Sequence, residues 1–248
     1  MKGYSLNKVL LKITLIIALV QTAIMLLLAF IPFDLSRLTE AVIDVLLLVL
    51  ISAPCLYFMV IKPFVYAERE AVARLSRMAY RDPLTDLPNR RYLNLGLEKY
   101  LAENARHRIN GALILLDLNG FKAINDKYGH PVGDKVLCEV AERLKKGTRT
   151  EDLVVRLGGD EFTVLVNHLN ADVEVARAEI RAIAEQLRAR ICRPVEDKGR
   201  QIAVDCSVGI TLINAQSEID EMIRDADLAM YQAKKAADGS VAIIDHAA

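Results

Sequence analysis

Leu153-Val154-Val155-Arg156-Leu157-Gly158-Gly159-Asp160-Glu161-Phe162-Thr163-Val164-Leu165-Val166-Asn167 reads as two short apolar strands broken by a turn. Gly158-Gly159 supplies a hairpin turn, so the strands on either side, Leu153–Leu157 and Phe162–Asn167, run antiparallel. The turn also holds two acids, Asp160 and Glu161, beside backbone that carries no side chains and is open to a phosphate. Upstream, Leu113-Ile114-Leu115-Leu116-Asp117 is a buried-strand run that ends in a third carboxylate. Three carboxylates beside bare backbone suit a magnesium-nucleotide site, because magnesium takes oxygen ligands and shares them with substrate phosphates. In isolation the turn also fits a solvated hairpin.

Outward from this pair, helical and strand patterns alternate. Helices are expected near Arg91–Ala105, Phe121–Tyr128, Gly133–Lys146, Ala171–Cys192 and Ser217–Ala237, and strands at Ala112–Asp117, Ala203–Leu212 and Val241–Ile244. The fold class is α/β (α+β), with a mixed, mainly antiparallel sheet flanked by helices.

Composition bounds the rest. The chain has 248 residues, room for one catalytic core and an appendage. Lys+Arg and Asp+Glu both number 32 and the pI is about 6.9, which removes the electrostatic case for a nucleic-acid partner. Cys55, Cys138, Cys192 and Cys206 form no CxxC pair, which excludes a zinc site or disulfide framework from spacing and leaves small buried thiols as the reading.

Hydrophobic residues reach 53% with a mean hydropathy of +0.23, and they concentrate in the first quarter. Ile13–Ile31 carries no charge and, at about 1.5 Å per helical residue, matches a bilayer's hydrocarbon thickness. Val45–Ile61, lengthened by Ala41–Asp44, makes a second span, so residues 1–62 are expected to form a membrane hairpin around the short loop Pro32–Glu40. No small-residue cleavage site precedes the second span, so the first reads as retained. Lys2, Lys8 and Lys12 before the first span, and Lys62, Arg69, Arg74 and Arg77 after the second, put both ends in the cytoplasm. Asp44 is expected at the interface, where a charge costs little.

Residues 63–81 read as a helix leaving the membrane, with Val65, Val72, Leu75 and Ala79 at heptad-like spacing that suits parallel pairing of two copies. Pro83 disfavours helical geometry at Asp82 and marks the boundary of a soluble domain over 82–248.

Arg156-Leu157-Gly158-Gly159-Asp160-Glu161-Phe162 carries intact the signature of the GGDEF diguanylate cyclases, and the chain resembles that family from about Asp82 to Ile244. Further motifs match in order: Asp82-Pro83-Leu84-Thr85-Asp86, Asp117-Leu118-Asn119-Gly120-Phe121, Gly129-His130-Pro131-Val132-Gly133-Asp134, Ser207-Val208-Gly209-Ile210 and Asp225-Ala226-Asp227-Leu228-Ala229-Met230-Tyr231-Gln232-Ala233-Lys234.

The resemblance implies a nucleotide-cyclase and polymerase-palm-like domain that condenses two GTP into cyclic di-GMP and two pyrophosphates. It implies two magnesium ions per site, with manganese as an alternative, held by Asp117, Glu161 and the Leu118 carbonyl. Asp160 completes that set or helps deprotonate the attacking hydroxyl. Asn125 and Asp134 match guanine-binding positions, Lys122 and Lys234 match phosphate-binding lysines, and Gly158 and Gly159 admit the substrate. His130 reads as structural. Arg149 and Asp152 match an Arg-x-x-Asp product-inhibition site, against a plain charged turn. The family mechanism implies a homodimer of half-sites, here tethered to lipid at a bacterial cytoplasmic (inner) membrane as a multi-pass protein.

The rival is an inactive module that binds GTP or cyclic di-GMP to regulate a partner. Two departures stand out: Asn119 replaces the second acid of a frequent Asp-x-Asp, and Lys235-Ala236-Ala237-Asp238-Gly239-Ser240 lacks the family's usual Gly-Arg/Lys-Asn.

Overall fold

A computed structural model describes residues 6–29, 37–107, 110–213, 218–236 and 241–244. The chain divides into two compact units, Met1–Ser76 and Arg77–Ala248.

In the first unit, α1 (Leu6–Ala29) and α2 (Arg37–Leu56) pack together, and both are long and apolar enough to cross a membrane. Leu15, Leu19, Met25, Leu46 and Leu50 project outward while Ile16 and Ile24 are buried, an inside-out pattern costly in water. Gln21 Nε2 donates to both carboxylate oxygens of Asp44, at 3.2 and 2.9 Å, so this acid has a partner on the facing helix. The loop expected at Pro32–Glu40 falls outside the described residues over 32–36, as does Lys2.

Pro63 does not end the helix. A π turn, Tyr57–Ile61, follows α2 and leads into α3 (Lys62–Tyr80), with Lys62 N–H donating to Tyr57 O. The wider turn sits just where Pro63 removes an N–H and crowds the preceding carbonyls. No residue of α3 is buried, and Val65, Val72 and Leu75 lie exposed.

The second unit is built on a five-stranded sheet of order β2-β3-β1-β6-β7: β2 (Leu153–Gly158), β3 (Glu161–Leu169), β1 (Asn110–Asn119), β6 (Asp205–Ile213) and β7 (Val241–Ile244). All pairs are antiparallel except β6–β7, as the mainly antiparallel expectation required. Strand β1 is central, and residues 112–116 run unbroken apolar because both faces of the strand are covered. Ala112, Ile114, Leu116 and Leu118 join one cluster with α6 (His130–Gly147) and α7 (Val173–Ile191). Leu113 and Leu115 point the other way, into a cluster with α4 (Arg90–His107) and α8 (Ile219–Lys235). That alternation assigns Asp117 to the α4/α8 face.

The expected elements are present, with ends moved by a few residues; α6 opens at His130 with Pro131 in its first turn. The expected limits Ser217 and Ala237 of α8 fall outside the described residues. One element was not anticipated: a hairpin of β4 (Val195–Asp197) and β5 (Arg200–Ile202), turned by Lys198 and Gly199 at positive φ. Val195 and Ile202 bury its base, and Lys135 of α6 reaches Asp197 at 2.9 Å.

Helix α8 crosses β6 at Gly209, where an added Cβ would overlap Ala226 O and Met230 N. Both are backbone atoms that no rotamer change can move. Gly209→Ala should therefore destabilise the domain by about 1–3 kcal/mol. Urea denaturation checks this; a midpoint equal to the parent's would show that α8 shifts at no cost.

Candidate active site

The central strand sets the site's first residue. Asp117 lies near the end of β1, 7% exposed, paired in register with Glu161 on β3 and Ser207 on β6. Directly opposed residues of an antiparallel pair hold their Cβ atoms about 4.5–5.5 Å apart, so the two acids repel. Lys234 on α8 answers one of them: its ammonium lies 2.6 Å from Asp117 Oδ2, and that bond raises the lysine's pKa. Glu161 is pushed up by burial and then by the charges of Asp117 and Asp160, with Arg90 pulling the other way.

The turn after β2 fixes the second half. Gly158 (φ 143°) and Gly159 (φ 53°) adopt backbone that side chains disfavour, and nothing lies within 4 Å of a Cβ added at either. The bare surface anticipated from the two glycines is present. Arg156 holds the turn from behind: Nε and Nη2 donate to Gly159 O at 3.2 and 2.7 Å, and Nη1 to Asp82 Oδ1 at 2.8 Å. Asp82 also accepts from the Thr85 amide and hydroxyl. Burial pushes its carboxyl up, but the bonds from Thr85 and Arg156 outweigh that and hold it below the usual range. Leu118 N–H donates to Asp160 O at 3.3 Å, which fastens the turn to β1.

Past Gly120 (φ 67°), α5 (Phe121–Tyr128) carries Lys122, exposed, and Asn125. Asn125 packs so closely on Gly133 that an added Cβ there would overlap its Oδ1. The contact puts Asn125 next to the residue before Asp134, which is exposed at the start of α6. His130 is exposed one turn earlier.

Arg149 and Asp152 shape the turn between α6 and β2. Asp152 accepts from Arg149 N–H at 3.0 Å and Asn167 N–H at 3.2 Å. Burial raises its carboxyl despite those bonds. The Arg149 guanidinium stays half exposed, 3.5 Å from Glu179 of α7.

Asp117, Glu161 and Asp160 offer only oxygen donors, a set that fits a hard divalent cation sharing its shell with phosphates. Among the described residues no three acid, histidine or cysteine side chains form a ready-made cage. Asn119 donates to Asp205 and accepts from Ser207, so it braces the strand end. The departure after Lys234 falls outside the described residues at 237–240.

The sequence assigns no role to Arg156, nor to Arg90 and Asp227, which both act on Glu161's charge. An arginine two residues before a Gly-Gly turn is a readable sign of a clamp. Nothing local marks the other two.

Comparison with known proteins places the chain. Residues 79–240, more than half of it, match the family model described as "Diguanylate cyclase, GGDEF domain". The diguanylate cyclase TpbB of Pseudomonas aeruginosa is 37% identical over 170 residues, 68% of this chain and 38% of that one. The diguanylate cyclase DgcP of the same species is 41% identical over 161 residues, 64% of this chain and 23% of its own length. The chain thus spans well under half of these curated relatives. Among solved structures, the isolated GGDEF domain of TpbB aligns with a TM-score of 0.61 at 36% identity, covering 66% of this chain and 94% of that one. The GGDEF domain of Caulobacter crescentus DgcB, crystallised with c-di-GMP, aligns with a TM-score of 0.61 at 25% identity, covering 66% and 95%. Agreement of this extent, over a sheet that carries the signature on its β2–β3 hairpin, means that the chain belongs to the GGDEF family.

Proposed function

We propose that the protein is a membrane-anchored diguanylate cyclase that converts two GTP into cyclic di-GMP and two pyrophosphates. The observation that carries this is the in-register pair Asp117 and Glu161 beside the bare Gly158-Gly159 turn. The names of its relatives support the same activity.

Asp117, Glu161 and the Leu118 carbonyl hold magnesium or manganese, two ions per site, and Asp160 completes the donors or accepts the proton of the attacking 3′-hydroxyl. When bound, the ions neutralise the triphosphate and favour in-line displacement at the α-phosphorus. Lys234, which pairs with Asp117 at 2.6 Å, would be free to contact the phosphates if that carboxylate held an ion, and Lys122 would add a second positive charge. Asp134 accepts from guanine N1–H and N2–H together, a pair adenine lacks, while Asn125 meets the base beside it. Gly158 and Gly159 let the phosphates approach the backbone.

Each domain presents one GTP, so two copies must face each other about a twofold axis. The exposed heptad positions of α3 support such a homodimer. We assign residues 1–62 to a membrane hairpin in contact with lipid, 63–81 to a signalling helix and 82–248 to catalysis. The bacterial cytoplasmic membrane is then the location, with the N-terminus and the GGDEF domain in the cytoplasm. The direct test is GTP with magnesium and chromatographic analysis of products; absence of cyclic di-GMP from a verified dimer would favour the regulatory rival.

Glu161→Gln removes a carboxylate that burial and Asp117 penalise. Synthesis should fall by about 10²-fold or more, while the metal-free protein melts at a higher temperature than the parent. The sign follows from linkage: a raised carboxyl pKa favours the fold at low pH and costs stability as pH rises through it, and glutamine escapes that cost. Magnesium should raise the parent's melting temperature only. Activity within about threefold of the parent would remove Glu161 from the metal site.

Deleting residues 1–62 should leave a soluble domain whose specific activity rises with protein concentration. Sedimentation alongside the assay checks this, and a fully active monomer would contradict facing half-sites.

Arg149→Ala should relieve product inhibition with initial rates intact, because its half-exposed guanidinium suits guanine O6/N7 or a phosphate. Asp152 is the poorer test, since its carboxylate also closes the turn. Unchanged sensitivity to added cyclic di-GMP would return this stretch to a charged turn.

A further inference from the structure

Four cysteines are free, and one of them, Cys192, lies against the residue next to another, Cys206. Cys192 caps the C-terminus of α7, partly exposed, and Cys206 is fully buried on β6, where it pairs with Leu118 of β1. Cys192 packs against the buried cluster that contains Cys206, and each thiol acts on the other's proton affinity. Around them, Cys192 Sγ lies 3.5 Å from Asp205 Oδ1, Arg188 Nη2 reaches the same oxygen at 2.9 Å, and Arg188 Nε donates to Cys206 O at 3.0 Å. A guanidinium beside one partly exposed thiol, with a second thiol behind it, is the arrangement of an attacking and a resolving cysteine.

Cys206 and the charge of Arg188 lower the Cys192 thiol, against burial and Asp205, while Cys206 is pushed up. Cys138 shows the contrast: burial raises it, and its sulfur is turned to Leu84 O at 3.5 Å. None of these groups has a part in the nucleotide chemistry assigned above.

We propose that Cys192 and Cys206 are an oxidation site for hydrogen peroxide and form a reversible intramolecular disulfide. The Cys192 thiolate attacks one peroxide oxygen; the O–O bond breaks, hydroxide leaves and takes a proton as water, and Cys192 becomes a sulfenic acid. Cys206 sulfur then attacks Cys192 sulfur, the S–O bond breaks, and hydroxide leaves with the Cys206 proton as a second water. Two thiols and one peroxide give one disulfide and two waters. The bridge ties the end of α7 to β6 and closes the segment that holds the β4–β5 hairpin.

Peroxide treatment of the full-length chain followed by non-reducing peptide mapping tests this. The expected product is a Cys192–Cys206 linked peptide pair that dithiothreitol separates, with Cys192 consumed roughly tenfold faster than Cys138 at neutral pH. In Cys206→Ala, dimedone should trap Cys192 as its sulfenic acid; in Cys192→Ser, a change at a partly exposed position, Cys206 should stay a thiol. A Cys192 that proceeds to sulfinic acid without a linked pair in the parent chain would overturn the proposal, as would equal consumption of Cys138.

Discussion

The site depends on one buried guanidinium. Arg156, its side chain 9% exposed, grips Gly159 O with two nitrogens and Asp82 with a third. A buried charge is tolerated only when its hydrogen bonds are met, and removing one partner from such a pair costs roughly 3–5 kcal/mol. The loop from Asp82 to Asn89 is therefore held in place, zipped further by Arg156 N–H to Pro88 O and by Asp82 N–H to Leu87 O. Asn89 then caps α4 through the Arg91 and Tyr92 amides. One side chain links the domain's entry, the first helix of the α4/α8 face and the turn that carries Asp160 and Glu161.

Against that rigid backing the strand ends are electrostatically strained. Asp117 and Glu161 oppose each other on neighbouring strands, where the local cost would be lowered by almost any other pairing. Lys234 relieves Asp117, and Arg90 acts on Glu161, yet Glu161 still holds its proton more tightly than an ordinary glutamate. Local charge strain of this kind marks a candidate functional site.

Much of this was legible in the residues. Strand β1 announced itself by an unbroken apolar run, the β2–β3 turn by paired glycines, and the two apolar helices by length without charge. The β4–β5 hairpin was not legible, because Val195 and Ile202 are its only buried apolar residues and three-residue strands are too short for periodicity. The Arg156–Asp82 and Lys234–Asp117 bonds escaped for another reason: each joins positions far apart in sequence, 74 and 117 residues, and no local pattern encodes such a pairing. The approach of Cys192 to the start of β6 was hidden likewise, since only the return of the chain through the hairpin brings α7's end there. Reading all four cysteines as small buried thiols suited Cys206, whereas Cys55, Cys138 and Cys192 are partly exposed.

The central position of β1 also sets an order of assembly. Its partner β3 lies nearby in the chain, but β6 and α8 arrive late in synthesis, and Lys234 arrives with them. Non-local pairings of this kind are slow because loop-closure entropy is lost before contacts compensate it. During biosynthesis Asp117 and Glu161 are made well before the lysine that answers them. The completed charge balance is thus a late event of folding, and a chain stopped short of α8 carries the acids without their cation.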